Sequence, residues 1–390
     1  MDFFRRRDVW IAVGVQALLS IFFAHGYDFR VEYVAGRNIV EGVSPYMGGV
    51  VSGWMSLGYG SQVQGLGETP LWAIYLGFCY LLSGGQPFLF NFLSKVTIVA
   101  ANMWLAYFAF SRGAKGWRFF LFNIYLIVTT VTWGKPDNLA TLLAIVALVG
   151  TDSASYSAFL LSTSLMIKPL AVTILPAFCS RLKTKPVRWS MKFVLATVLM
   201  SAGMFLGPFF VFSWPLETVT RGFPTWFGHA GALSPFNFVE IETGSEQLPP
   251  GFWWAGYLVV FASLILIAYA MTRKQDTLRY AILSSAVFFT LRPWNSEQNL
   301  VIVLVLLILL GGELPSRWLW AIPIMFAIAN NAPQQQLYLL MPTIIDALTR
   351  FYAPFDIYRL WLKFFLSLGW LLVLWFNVLV LWKKTRGPRA

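Results

Sequence analysis

The sequence predicts an all-α polytopic membrane protein, with a single transmembrane domain over residues 1–390 and about twelve spanning helices. Of its 390 residues, 58% are hydrophobic and 12% are charged, whereas a soluble protein carries about 25% charged residues. The apolar residues form long runs, and Lys and Arg cluster between them. This composition excludes a soluble enzyme, a disordered chain and an ordinary nucleic-acid-binding domain. The net charge of +12 is therefore attributed to membrane topology.

The candidate spans are the apolar runs that approach the roughly 20 residues a bilayer-crossing helix needs. They lie at 9–25, 69–83, 88–111, 119–133, 138–150, 156–179, 193–213, 253–272, 280–291, 298–311, 317–330 and 360–382. The apolar stretch 337–349 is brief and is interpreted as a helix at the membrane surface. The first run follows three arginines and has no small-residue cleavage site, so we expect it to be retained as an anchor.

The orientation follows from the basic residues, which are enriched in cytoplasmic loops. With the N-terminus inside, the clusters at 5–7, 181–192 and 383–389 all face the cytoplasm. The same count places Lys135 inside and the group 112–118 outside. The basic group at 112–118 opposes the bias, and a miscounted helix before it would explain this.

Two long loops are then predicted on the non-cytoplasmic face, at 26–68 and 214–252. Most of the acidic residues of the chain lie on this face. Loops of this length between helices usually carry function. Within the first loop, a short amphipathic helix is expected at 31–41, ended by Gly42, and Pro70 is expected to open the next helix.

The strongest chemical signal is the segment from His25 to Tyr33, directly after the first span. If it is helical, Asp28 and Glu32 stand four residues apart on one face, while Arg30 points elsewhere. Such a pair could share a proton, bind a divalent cation or supply a general base. The alternative is a solvated helix end whose acids are neutralised by Arg30 or Arg37.

A family resemblance rests on this acidic segment and two motifs that follow it. These are Gly42-x-Ser44-Pro45-Tyr46 and Thr69-Pro70-Leu71, the latter at the start of the second span. Over about residues 27–72 the chain resembles the GT-C superfamily of integral-membrane glycosyltransferases, in particular the mannosyltransferase branch that includes the GPI-anchor first mannosyltransferase and its prokaryotic relatives. The family often has Asp-x-Asp or Glu-x-Asp, whereas this chain has Asp28-x-x-x-Glu32.

The resemblance implies a GT-C-like fold and an inverting hexosyltransferase, for mannose or another hexose. The donor would be a polyprenyl-phosphate-linked sugar and the acceptor a lipid or glycan, at the non-cytoplasmic face. Asp28 would be the catalytic base, with Glu32 as a second catalytic carboxylate. Membrane lipids are expected as further partners and nucleic acid is not. The expected location is a prokaryotic plasma membrane, with the endoplasmic reticulum as the alternative. The metal requirement is left open between none and Mg²⁺ or Mn²⁺.

Lys168 is a second candidate, because it interrupts the apolar run Leu165–Leu170. A lysine within a membrane segment is costly and is therefore a functional candidate by default. Pro169 is expected to kink the helix there. The alternative is a lysine that extends its side chain to the interface. With Arg292, Lys168 is expected to hold the carrier phosphate.

The third signal is the segment 290–299, which joins two apolar runs on the outer side. Arg292 can bind phosphate or pair with Glu297, and Trp294 can anchor at the interface or stack on a sugar. Gln298 and Asn299 add hydrogen-bonding groups. The alternative is a capped turn with an interfacial aromatic residue.

Two weaker signals are interpreted as structural. The segment Trp133–Asn138 is predicted on the inner side, where Asp137 or Asn138 would cap the following helix. His229 lies in the second outer loop without a His or Cys partner for a zinc site.

The sequence thus predicts two catalytic residues, Asp28 and Glu32, and a larger group of residues that contact the substrate. The substrate-binding candidates are Arg30, Tyr33, Arg37, Tyr46, Glu68, Lys168, Arg292, Trp294, Glu297, Gln298 and Asn299. The rival functions are a secondary transporter or flippase, and a non-catalytic subunit that binds a lipid-linked sugar. Against the transporter, the ionisable residues gather at one face and no internal repeat is visible.

Overall fold

The structure is a computed structural model that describes residues 2–220, 228–252, 254–272, 276–314 and 316–384. It is almost entirely helical. The α-helices are α1 (Arg7–Phe22), α2 (Gly26–Val40), α3 (Pro70–Ser83), α4 (Pro87–Ser111), α5 (Phe119–Phe122), α6 (Ile124–Leu126), α7 (Asp137–Ile145), α8 (Ala154–Ile167), α9 (Leu175–Thr184), α10 (Val187–Val211), α11 (Glu217–Thr220), α12 (Asn237–Thr243), α13 (Trp254–Thr272), α14 (Thr277–Leu291), α15 (Val301–Gly311), α16 (Trp318–Ala329), α17 (Ala332–Gln335), α18 (Ile344–Tyr352) and α19 (Asp356–Lys384).

Shorter elements connect these helices. Two π-helical segments, Ile127–Thr132 and Val146–Gly150, extend α6 and α7. The strands β1 (Gly49–Val50) and β2 (Gln62–Val63) pair antiparallel, and β3 (Gly231–Ala232) and β4 (Trp294–Asn295) pair parallel. The all-α prediction is therefore confirmed. The part of the second loop at 221–227, the first residue of the predicted span 253–272 and the basic residues beyond 384 lie outside the described residues.

Three helices among the described residues are long and apolar enough to cross a membrane: Pro87–Ser111, Val187–Val211 and Ile344–Lys383, the last joining α18 and α19. Seven shorter apolar helices accompany them. Much of α10 is exposed on the outside of the molecule, including Phe210 (80%) and Val187 (75%). A helix that is apolar and unburied along its length suits a lipid environment and not water.

Contacts between helix termini define two ends of the helical bundle. At the first, the Asn91 side chain near the start of α4 donates hydrogen bonds to the carbonyls of Ser20 and Phe23 at the end of α1. At the second, the Arg118 guanidinium lies 3.4 Å from Asp8 at the start of α1. We call the first the site end and the second the basic end.

Helix α3 does not run from one end to the other, so the predicted crossing at 69–83 is wrong. Glu68, just before α3, and Gly85, just after it, both contact residues at the site end. Helix α3 packs along α2, where a side chain at Gly36 would come within 2.8 Å of the Leu76 carbonyl. Glycine therefore permits α2 and α3 to approach closely.

This miscount explains the basic group at 112–118. Helix α4 runs to the basic end, where Arg112 donates to the Val149 carbonyl and Arg118 pairs with Asp8. The group thus lies with the other basic clusters, as the positive-inside rule requires. The prediction that 112–118 and the N-terminal segment lie on opposite sides is therefore wrong, because Arg118 and Asp8 are at the same end of the bundle.

The predicted single crossing at 156–179 is also wrong, because the chain turns back at Lys168. Helix α8 ends at Ile167, and Lys168 is extended with φ −156° and ψ 132°. A 3-10 segment, Pro169–Ile174, leads into α9, whose Arg181 donates to the Ala147 carbonyl at the basic end. Proline disfavours a helical conformation in the residue before it, so Pro169 converts the expected kink into a break.

The two long loops meet at the site end. The Ser44 and Thr218 hydroxyl oxygens are 3.4 Å apart, and the Tyr46 ring stacks on Phe209 with centroids 5.8 Å apart. Strand β3 of the second loop pairs with β4. Both loops and the segment around Trp294 therefore lie at one end of the bundle.

Cysteine labelling tests this arrangement. In a background with Cys79 and Cys179 replaced by serine, single cysteines at Gly60 and Gly244 are expected to react with an impermeant maleimide from outside intact cells. A cysteine at Lys115 is expected to react only after permeabilisation. Labelling of Lys115 together with Gly60 from outside would contradict the two-ended arrangement.

Candidate functional site

The site begins at the first turn of α2, which starts directly after His25. The predicted helical spacing of Asp28 and Glu32 is confirmed, and both carboxylates approach the ammonium group of Lys135. Gly26 permits this start, since a Cβ atom there would lie 2.7 Å from the Tyr338 ring. The acidic pair therefore faces the interior of the site end, not solvent.

Lys135 is the centre of this first cluster. Its Nζ lies 2.8 Å from Asp28 Oδ1, 2.8 Å from Glu68 Oε1 and 3.9 Å from Glu32 Oε1, and the residue is only 7% exposed. The interpretation of Asp137 or Asn138 as the cap of the following helix is wrong, because the N-cap position of α7 is Pro136. Lys135 lies at the site end of the bundle, opposite the Asp8 end with which it was predicted to share one side of the membrane. Lys135 takes the neutralising role expected of Arg30 or Arg37.

Asp28 has two further donors besides Lys135. His25 Nδ1 lies 3.0 Å from Asp28 Oδ2, and the Trp133 indole N–H donates to the same oxygen. The His25 and Trp133 rings stack with centroids 4.7 Å apart. Burial acts to raise the pKa of Asp28, but Lys135 and His25 outweigh it and hold that pKa well below its ordinary value. Asp28 is therefore a stabilised carboxylate anion.

Glu32 has the opposite character. Burial, reinforced by the nearby Glu68 and Asp28 carboxylates, raises the pKa of Glu32 to about 8 despite the attraction of Lys135. Its Oε1 is buried and makes no hydrogen bond to the described residues. The pKa values of Asp28 and Glu32 are thus shifted in opposite directions, which is typical of carboxyl groups that have different roles.

The raised pKa of Glu32 predicts that the stability of the folded protein depends on pH. The folded state binds this proton more tightly than the unfolded state, where the pKa is near 4.5. Its stabilising contribution is present at low pH and is lost as the pH rises through about 8. We expect the thermal midpoint of the wild type to fall between about pH 4.5 and pH 8, and that of Glu32→Gln to fall less.

Glu41→Gln is the matched control, because Glu41 ends the same helix and its side chain is 58% exposed. It is expected to follow the wild-type pH curve. A Glu32→Gln curve identical to the wild type would remove Glu32 as the titrating group.

A second charge cluster forms around Asp137, two residues after Lys135. Asp137 begins α7 and is fully buried. Its Oδ2 accepts a hydrogen bond from Lys168 Nζ at 2.7 Å, and its Oδ1 accepts one from Asn299 Nδ2 at 2.6 Å. The break at Lys168 thus places that ammonium at the site end, with its side chain 18% exposed.

Arg292 completes this second cluster. Its Nη1 donates to Asn299 Oδ1 at 3.5 Å, and its guanidinium lies 5.9 Å from the Trp294 ring centre. Burial lowers the pKa of Arg292 to about 10, against the opposing effect of Asp137, so it remains a cation at neutral pH. The structure therefore brings the two predicted phosphate-binding cations, Lys168 and Arg292, to one hydrogen-bonded network.

The remaining residues of this segment are buried beside the network. Glu297 and Gln298 are 1% and 4% exposed, and each has a side-chain oxygen without a hydrogen bond to the described residues. The Glu297 carbonyl accepts a hydrogen bond from the Tyr125 hydroxyl at 2.5 Å. The Asn138 side-chain amide donates a hydrogen bond to Asn102 Oδ1, which connects α7 to α4. His229 pairs through its backbone with Gln247.

Four predicted binding residues bond to or pack against residues outside both clusters. Arg30 donates to the Gly60 carbonyl at 2.5 Å, Tyr33 donates to that of Gly85, and Arg37 donates to that of Val50. Tyr46 packs in an aromatic cluster with Phe209 and Trp214. These side chains hold the first loop and the turn after α3 in place.

The first cluster does not fit a divalent cation. Mg²⁺ and Mn²⁺ require oxygen ligands around the metal, whereas the position between Asp28 and Glu68 is occupied by the Lys135 ammonium. Within the described residues, no group of three or more His, Cys, Asp or Glu side chains is arranged to hold a metal.

Comparison with known proteins identifies no family for this chain. A scan against protein-family models finds no match, and a search of curated proteins finds none that is significantly similar.

Proposed function

We propose that this protein is an integral-membrane glycosyltransferase that moves a hexose from a polyprenyl-phosphate carrier to a lipid or glycan acceptor. The observation that supports it most is that an anionic cluster around Asp28 and a cationic pair, Lys168 and Arg292, lie at one end of a helical bundle with an apolar exterior. The segment Trp133–Asp137 connects them. This provides a carboxylate for an acceptor hydroxyl and cations for a leaving phosphate.

The proposed membrane topology has about twelve crossings, with both ends of the chain on the basic side. The crossing segments are α1, α4, 119–132, 137–150, α8, 169–184, α10, α13, α14, 297–311, α16 and α19. The site end then faces the non-cytoplasmic side, in a prokaryotic plasma membrane. Surface helices α2 and α3 lie in the first outer loop.

The transfer step assigns Asp28 as the base. The acceptor hydroxyl oxygen bonds to the anomeric carbon while the carbon–oxygen bond to phosphate breaks, and its electron pair leaves with the polyprenyl phosphate. The hydroxyl proton passes to the Asp28 carboxylate, whose side chain is 17% exposed. A weak base suffices when the bond to the leaving group is largely broken first, as in oxocarbenium-like transition states. One in-line displacement inverts the configuration.

Lys168 and Arg292 stabilise the departing phosphate. The Lys168 ammonium bonds to Asp137 and has an exposed edge, so a phosphate oxygen can approach it without displacing that pair. A guanidinium beside it adds a second, planar donor. Donors positioned where negative charge develops lower the barrier to departure.

The test is a transfer assay with purified protein in liposomes. A panel of polyprenyl-phosphate hexoses is supplied with a membrane lipid extract as acceptor, and release of polyprenyl phosphate is measured. Turnover of at least one donor supports the proposal. No turnover of any donor by folded protein contradicts it.

A secondary transporter is the second candidate, because Asp137 and Lys168 form a largely buried ion pair in an otherwise apolar bundle. Ionisable residues inside membrane proteins often mark substrate or ion pathways. Uptake of a labelled solute by proteoliposomes, without any chemical change to the solute, would favour this candidate over the transferase.

A further inference from the structure

A third lysine, Lys95, is buried inside α4 next to the first charge cluster. Helix α4 is long and apolar enough to cross a membrane, and Lys95 is only 2% exposed within it. Its Nζ donates hydrogen bonds to the carbonyls of Phe23, at 2.5 Å, and Thr132, at 3.0 Å. A lysine inside a membrane segment is costly and is therefore a functional candidate.

The two carbonyls that accept these hydrogen bonds belong to the chain segments that carry the partners of Asp28. Phe23 lies two residues before His25. Thr132 directly precedes Trp133. The His25 and Trp133 rings stack, and each has a nitrogen next to Asp28 Oδ2. The lysine therefore joins the two stretches of backbone that place these rings beside the carboxylate.

Gly134 permits Lys95 to lie this close to the acidic pair. Its φ is +96°, and a Cβ atom there would lie 2.9 Å from Lys95 Cε. The same Cβ position is 3.8 Å from Lys95 Nζ and 3.8 Å from Glu32 Oε2. Lys95 and the Glu32 carboxyl group thus lie next to one backbone position.

The charge of Lys95 acts on Glu32 together with other groups. The titratable groups that influence or feel the Glu32 carboxyl are Asp28 on α2, Cys79 on α3, Lys95 on α4, Glu68 before α3 and Lys135 before α7. The two lysines favour the carboxylate form, whereas burial and the two other carboxylates favour the protonated form. Burial raises the pKa of Cys79 to about 11, so its thiol is neutral at physiological pH.

We propose that Lys95 is a positioning residue for the acidic pair Asp28 and Glu32. Its two hydrogen bonds fix the end of α1 relative to the segment Trp133–Asp137, so His25 and Trp133 keep their orientation toward Asp28. Its charge favours the ionised form of Glu32. The inference rests on the proposed function only for the role of Asp28 as the base.

The alternative is that Lys95 only caps α1, since cations near helix C-termini are stabilising. Asn91 lies one turn earlier on α4 and provides such a cap without a charge. Its side-chain amide donates to the carbonyls of Ser20, Ile21 and Phe23. Asn91 is therefore the matched control for Lys95.

The experiment is an infrared pH titration of the purified full-length protein, without donor or acceptor. The carboxylic-acid C=O stretching band that is lost in Glu32→Gln reports the proton on Glu32. In the wild type this band should disappear as the pH rises through about 8. In Lys95→Met the loss of the cation should move this titration to higher pH by about one unit or more.

Two further variants separate charge from capping. Asn91→Leu should lower the thermal midpoint but leave the Glu32 titration at its wild-type position. Lys95→Gln keeps an N–H donor and removes the charge, so it should shift the titration as Lys95→Met does, and it is the variant to measure if Lys95→Met does not fold. A wild-type titration in the Lys95 variants, or an equal shift in Asn91→Leu, would overturn the proposal.

Transfer kinetics test the positioning of Asp28 separately. Lys95→Met is expected to lower kcat by about 10–100-fold, because small displacements of reacting groups are costly. The KM for the donor should be unchanged, since Lys168 and Arg292 bond within the second cluster. An unchanged kcat would overturn the positioning role. A shifted titration in protein that transfers no sugar would overturn the proposed function alone, whereas transfer with an unshifted titration would overturn the role of Lys95 alone.

Discussion

Asp28→Asn is expected to abolish sugar transfer while leaving donor binding intact. Asparagine keeps the size of the side chain and can still accept hydrogen bonds from Lys135 and Trp133, but it cannot take the acceptor proton. A general base contributes about 10²–10⁴-fold to a rate, so we expect kcat to fall by about that factor. The measurement is single-turnover transfer from a labelled donor.

Two matched variants make this result specific. Asp8→Asn removes a carboxylate that pairs with Arg118 at the basic end, and its transfer rate should be unchanged. Glu32→Gln mimics the protonated form of Glu32 and should be milder than Asp28→Asn. If instead Glu32→Gln is the inactive variant and Asp28→Asn retains activity, the base is Glu32, whose pKa near 8 also suits that role.

Lys168→Met is expected to raise the KM for the lipid-linked donor strongly. A hydrogen bond to a charged group contributes about 1.5–3 kcal/mol, which corresponds to a factor of about 10–150 in affinity. The same change leaves the fully buried Asp137 without its cation at 2.7 Å. Breaking a buried pair from one side destabilises a protein by about 3–5 kcal/mol.

The double variant Lys168→Met/Asp137→Asn separates these two effects. Removing the stranded carboxylate should restore much of the thermal stability, while donor KM remains high. Arg292→Lys should also weaken donor use, because lysine lacks the planar pair of donors. A double variant with wild-type KM would remove Lys168 from the phosphate site.

The spacing of residues predicted part of the site well. Asp28 and Glu32 are brought together by local helical geometry alone, so their shared face could be inferred from the i, i+4 spacing. The surface helix after the first span and the start of α3 at Pro70 follow equally local rules. Lys168 could be identified as a candidate from the sequence, because a cation within an apolar run needs a partner.

The parts that were missed depend on contacts between distant segments. Lys135 and Asp137 meet partners far away in the chain, and no local rule identifies those partners. Their end of the bundle depended on whether 69–83 runs the length of the bundle, which its apolar composition suggested and the site-end contacts of Glu68 and Gly85 contradict. The basic group at 112–118 was the signal that could have corrected this. The roles of Arg30 and Arg37 likewise depend on loop carbonyls at Gly60 and Val50.

The most direct test of the central claim is transfer by purified, reconstituted protein from a polyprenyl-phosphate-linked, radiolabelled hexose to a membrane lipid extract. We expect that label appears in a product other than the donor, that polyprenyl phosphate is released in equal amount, and that Asp28→Asn stops both. Donor that remains intact with folded wild-type protein, across mannose and the other hexoses, would contradict it.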